Sequence, residues 1–76
     1  MTPEQCRAAR GWLDWSQTDL ANAASVSLST VRDFEKGRRV PIANNLGAME
    51  TALRAKGAQF LDDGQTSGVS FPASRQ

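Results

Sequence analysis

The sequence predicts an all-α domain of four short helices, followed by a short extended segment or hairpin. Three observations carry this reading. Apolar residues recur at helical spacing in separate stretches between Cys6 and Leu53. A capping residue or a proline opens each stretch, and Gly37 and Gly57 close the last two. The second and third stretches are short and are joined by about three residues, a spacing that sets two helices at a fixed angle.

Taken in order, Thr2-Pro3-Glu4-Gln5 is a helix start. Thr2 caps, Pro3 suits the first helical position, and Gln5 stands where a capping box wants Glu or Gln. The first helix is expected from Pro3 to about Trp12. Cys6, Ala9 and Leu13 share one face, with Ala8 and Trp12 beside it. Gly11 weakens its end and is expected to let a neighbour approach closely. Ser16 caps the second helix, and Asp19 places negative charge in its first turn. Leu20, Ala21 and Ala24 form its stripe of mostly small side chains. This helix stops by Ser25, because Val26-Ser27-Leu28-Ser29 reads as a turn with a fresh cap at Ser27.

The third helix is expected from Leu28 to Lys36. Val31 and Phe34 face inward, while Ser29, Thr30, Arg32, Asp33 and Lys36 lie on the outer side. Gly37 ends it in the left-handed position. Pro41 marks the fourth start, and Ile42, Leu46, Met49 and Leu53 form its apolar stripe, with Ala52 alongside. The helical domain is thus expected over 1–57 and a C-terminal extension over 58–76. Strands are expected at 58–61 and 69–71, with a polar turn between them and a loose tail over 72–76. A lone hairpin is marginal in water, so these strands need the helical core or a second chain.

Composition narrows the function. The 76 residues suffice for one domain with a thin core. No apolar run approaches the ~20 residues of a membrane span, and the N-terminus lacks the pattern of a signal peptide, so the cytoplasm is the expected location. Cys6 is the single cysteine and there is no histidine. That excludes an internal disulfide, a thiol–imidazole metal site and every histidine-based catalytic dyad or triad. The eight acids form no paired constellation. No enzyme, cofactor or metal is expected. Net charge is only +1. Its distribution says more: Arg32, Lys36, Arg38 and Arg39 crowd together, and Asp62 and Asp63 stand far off in sequence.

One run of residues carries a family resemblance: Ser16-Gln17-xx-Leu20-Ala21-xx-Ala24-x-Val26-Ser27-x-Ser29-Thr30-Val31-xx-Phe34-Glu35-x-Gly37. It resembles the helix-turn-helix signature of the Cro and phage-repressor-type (xenobiotic-response-element-like) regulators, with the motif over 16–37. The likeness extends over roughly residues 1 to 61. It implies a four-helix lambda-repressor-like fold and a sequence-specific DNA-binding transcriptional regulator. The implied form is a cytoplasmic dimeric repressor on an inverted-repeat operator. Short members of this kind are frequent in bacterial mobile elements.

The resemblance also assigns roles. Arg10 pairs with Glu35 between the first helix and the end of the third, and Ala21, Val26, Val31 and Phe34 are structural. Gln17 bonds a DNA phosphate from a helix N-terminus. Ser27, Leu28, Ser29, Thr30, Arg32 and Asp33 stand at or near base edges in the major groove. Lys36, Arg38 and Arg39 follow the backbone.

Two positions depart from the family pattern. Ser25 stands where glycine is usual, at a cost of roughly 1 kcal/mol if the backbone there is left-handed. Leu28 stands where close relatives carry a basic or amide side chain, and an exposed leucine there suits a protein partner. This supports a second reading, an antiactivator or adaptor that covers a transcription factor with this fold. Its contacts would come from Leu28, Val40, Phe60, Leu61, Val69 and Phe71.

Overall fold

Four helices and a hairpin follow one another along the chain: α1 (Pro3–Leu13), α2 (Gln17–Ala24), α3 (Leu28–Glu35), α4 (Ala43–Arg54), β1 (Gln59–Asp62) and β2 (Ser67–Ser70). The computed structural model describes residues 1–73. Of the expected tail, residues 74–76 lie outside this range.

Local chemistry sets the helix starts. The Thr2 hydroxyl accepts from the Gln5 backbone N–H at 3.1 Å, and the Gln5 side chain accepts from the Thr2 N–H at 2.9 Å. Ser16 and Asp19 form the same reciprocal box at α2, at 3.0 and 2.9 Å. Ser27 caps α3 by accepting from the Thr30 N–H at 3.1 Å. Only α4 begins without a side-chain cap, on Ile42.

All four helices end in the same two-bond closure. The N–H of residue i+5 reaches the carbonyl of residue i at Trp15–Arg10, Val26–Ala21, Arg38–Asp33 and Ala58–Leu53. The residue inside each closure has positive φ: Asp14 (58°), Ser25 (57°), Gly37 (73°) and Gly57 (104°). At Asp14 and Ser25 a side chain tolerates the left-handed backbone at roughly 1 kcal/mol each. Gly57 answers a second demand, since a Cβ there would stand 3.1 Å from Pro72 Cδ.

The core gathers Cys6 and Ala9 from α1, Leu20, Ala21 and Ala24 from α2, Val31 and Phe34 from α3, Met49 and Leu53 from α4, and Ala58. Ala21 is 3% exposed, and its small side chain lets α2 lie close to its neighbours. In the hairpin, β1 and β2 run antiparallel with Phe60 opposite Val69 and Leu61 opposite Gly68. Phe60 and Val69 turn to the helical core, while Leu61 faces solvent. Phe71 stacks on Trp12 with ring centroids 5.1 Å apart.

Several expectations need correction. Ile42 does not belong to the α4 stripe. It precedes the first helical turn and is 69% exposed, because the helix starts two residues after Pro41 rather than at it. Gly11 admits no close neighbour, since nothing lies within 4 Å of a Cβ built there, and α1 runs past it to Leu13. Ala8, expected beside the inner face of α1, is exposed. Leu28 is half-buried rather than exposed, and α3 ends at Glu35 with Lys36 as its cap.

Candidate nucleic-acid interface

α3 has two sides of opposite character. Its inner side ends on Glu35, whose side chain is 1% exposed. A bare carboxylate so deep would be costly, and here four donors reach it. Arg10 grips it in bidentate fashion, Nε to Oε2 and Nη2 to Oε1, both at 2.7 Å. Cys6 Sγ donates to Oε2 at 3.1 Å, and Gln17 Nε2 donates to Oε1 at 3.1 Å. Arg7 Nη1 also donates to the Glu35 backbone carbonyl. Burial alone would push the Glu35 carboxyl up. The hydrogen bonds from Arg10, Cys6 and Gln17, with the Arg10 charge, outweigh it and hold the group below the ordinary carboxylate range. The same burial, then the Glu35 contact, push the Cys6 thiol well up. This cluster ties α1 and the first residue of α2 to the last residue of α3, and so fixes the angle between the two helices of the motif.

The outer side carries Ser29, Arg32 and Lys36, all exposed, with half-buried Thr30 and Asp33 beside them. Ser27, Ser29 and Thr30 share their hydroxyls at 2.8 to 3.1 Å across the first turn. Past Gly37 the chain turns and exposes Arg38, Arg39 and Val40. A cleft of about 230 Å³ separates α3 from this loop. Ser29, Thr30 and Asp33 form one wall, and Arg39, Val40, Pro41, Ile42 and Asn45 form the other.

The charges on this side are unpaired. Among the described residues the ion pairs are Met1 N-terminus–Glu50, Arg10–Glu35 and Arg54–Glu50. None involves Arg32, Lys36, Arg38 or Arg39. Other cations are also occupied, with Arg54 over the Phe60 ring at 5.2 Å and Lys56 over Trp15 at 6.0 Å. Among the described residues no cluster of three or more potential metal ligands occurs, and no helix is long and apolar enough to cross a membrane.

The cleft brings Ser29, Thr30, Asp33 and Arg39 together; Ser27, Arg32, Lys36 and Arg38 are exposed on α3 and its flanks, and Leu28 is half-buried at its first residue. Gln17, at the start of α2, uses one N–H of its amide on Glu35. The residues named for a protein contact are divided between α3 and its following loop, with Leu28 and Val40, and the hairpin and the residue after it, with Phe60, Leu61, Val69 and Phe71. Val40 is 75% exposed on the α3 side, Leu61 is 51% exposed on the hairpin, and Phe60, Val69 and Phe71 pack against the core.

One organising residue was missed from sequence. Gln5, 5% exposed, does more than cap α1. Its Nε2 donates to the carbonyls of Leu61 and Gly68, at 3.0 and 2.9 Å, and fastens the hairpin to the helical body. The capping-box spacing was its local signal, and nothing local marks the second task.

A family model described as a helix-turn-helix domain matches residues 4–61, which takes in α1 from its second residue, the other three helices and most of β1. No curated protein matches the chain significantly.

Proposed function

The chain belongs to this helix-turn-helix family, of the Cro and phage-repressor kind, and from that premise we propose that it is a sequence-specific DNA-binding transcriptional regulator, acting as a dimeric repressor on an inverted repeat. The observation that carries the reading is the set of four unpaired cations, Arg32, Lys36, Arg38 and Arg39, on and just after the exposed side of α3. Elsewhere the fold gives most of its cations a carboxylate, a carbonyl or a ring. Here it leaves them to a partner with many acceptors, and duplex DNA supplies a phosphate every few ångströms.

In this reading α3 lies in the major groove. Arg32 reaches base edges or phosphate, and the hydroxyls of Ser27, Ser29 and Thr30 approach the bases closely because they are short. Lys36, Arg38 and Arg39 follow the backbone. Gln17, held by Glu35, offers its remaining amide N–H to a phosphate at the start of α2. The domain boundary falls near residue 57, with the hairpin as an appendage. Such a protein works where the chromosome is, in the cytoplasm, and carries no cofactor.

The test is binding of the purified protein to a labelled duplex from its own upstream region at two salt concentrations. Four phosphate contacts on each protomer, eight for the dimer, predict roughly a ten-thousandfold loss of affinity between about 50 and 200 mM salt. Arg38→Ala or Arg39→Ala should lower the salt slope of the dimer by about two, one for each protomer. Salt-independent binding, or none by folded protein, would sink the reading.

One observation favours a second reading. Val40 and Ile42 expose apolar surface beside the cleft, at 75% and 69%. In that reading the chain is an antiactivator that docks this edge on a transcription factor. It predicts no duplex binding, and a complex with that factor that Val40→Glu abolishes.

A further inference from the structure

Asp33 is the lone carboxylate on the basic side of α3 and its following loop. It is half-buried and lines the cleft with Ser29 and Thr30, facing a wall that contains Arg39. Its backbone carbonyl accepts from the Arg38 N–H in the helix closure, yet no hydrogen bond or ion pair engages its carboxylate among the described residues. An unmatched acid in a face built for phosphate is electrostatically out of place unless the ligand carries a donor where Asp33 sits.

An ionised carboxylate accepts hydrogen bonds and donates none. That restricts what it tolerates in a major groove. Phosphate oxygens repel it. Guanine presents N7 and O6, both acceptors, and thymine presents the O4 acceptor and a methyl group. Cytosine presents its N4 amino group, a donor with no acceptor beside it on that edge. Adenine offers an N6 donor but adds the N7 acceptor. The neighbouring readers are less selective, because the hydroxyls of Ser29 and Thr30 donate or accept as required. Leu28, half-buried, has no polar group to offer.

We propose that Asp33 is a specificity-determining residue that selects cytosine at one position of each operator half-site, by accepting a hydrogen bond from the cytosine N4 amino group. Guanine and thymine are rejected there by acceptor facing acceptor. The inference rests on the DNA-binding reading above and adds to it what one position of the site must contain.

The experiment selects the full chain, and its Asp33→Ala and Asp33→Asn variants, against a duplex library with a randomised centre. Wild type should enrich a motif with cytosine fixed at one position per half-site. Asp33→Ala should lose preference at that position alone, with affinity for random duplex equal or higher, because a repulsive charge has gone. Asp33→Asn should shift the preference to adenine, whose N6 and N7 match an amide. On the wild-type motif, a cytosine analogue lacking the 4-amino group should weaken the wild type roughly tenfold or more and leave Asp33→Ala unaffected. Circular dichroism of the variants checks the fold. An Asp33→Ala motif identical to that of the wild type overturns this inference alone. Wild-type binding without any enriched motif overturns it and leaves only phosphate binding. No duplex binding at all overturns it together with the function it rests on.

Discussion

Glu35 and Asp33 are two residues apart on the same helix, and the fold treats them in opposite ways. Glu35 points inward and receives four donors from three side chains. Asp33 points to the cleft and receives none among the described residues. The first carboxylate is used to assemble the protein, so its partners come from the chain itself. The second is left open, and so are the four cations on and just after the same helix. The difference teaches where to look in a small domain: saturated polar groups mark the frame, and unsaturated exposed ones mark the surface that waits for a ligand.

The comparison breaks most visibly at Glu35. Glu35→Ala should cost about 3 kcal/mol or more in chemical denaturation, because Arg10, Cys6 and Gln17 lose a shared acceptor and Arg10 stays partly buried. In a domain this small such a loss approaches the whole stability. A pH series sharpens the point. The Glu35 carboxyl is held below its ordinary range in the fold. Its contribution is therefore present above the unfolded value and is lost as pH falls through the folded one. Stability should drop on the acid side, and Glu35→Gln should flatten that limb; an unchanged limb would place the acid sensitivity elsewhere, Glu50 first.

Next in size is Gln5→Ala, at about 1–2 kcal/mol, the cost of stripping hydrogen bonds from a buried tie. Amide exchange in β1 and β2 should rise far more than in α2 and α4. Equal acceleration throughout would show that hairpin and helices open as one unit. The smallest effect belongs to Asp33→Ala, within about 0.5 kcal/mol of wild type in denaturation, since it has no partner to lose. A large destabilisation would place Asp33 in the frame and end the contrast with Glu35.

Much of the fold was legible because its signals are local. Thr2, Ser16 and Ser27 cap within three residues of themselves, and the apolar spacing of Leu20, Ala24, Val31, Phe34, Met49 and Leu53 placed them in the core. Ile42 fits the same spacing and is nevertheless exposed, since periodicity does not say on which residue a helix begins after a proline. Gln5 was half legible: its bond to Thr2 spans three residues, while its bonds to Leu61 and Gly68 span 56 and 63. No local pattern encodes such partners. The Arg10–Glu35 pair was expected through the family resemblance alone, as nothing in a separation of 25 residues announces it. The basic cluster was visible as a run of letters. That its charges are unpaired, and that Asp33 is unpaired among them, required coordinates.

Cys6 gives the frame a further property. Its sulfur is fully buried, and burial with the Glu35 contact raises its proton affinity far above that of a free thiol. The thiolate is the species that reacts with oxidants and alkylating reagents, so in the closed fold this cysteine is chemically silent. It becomes reactive when α1 lifts away from α3 and water reaches the cluster. The single cysteine is therefore a built-in clock. The rate at which it is alkylated counts how often the frame opens, without any label that would disturb the surface reserved for a ligand.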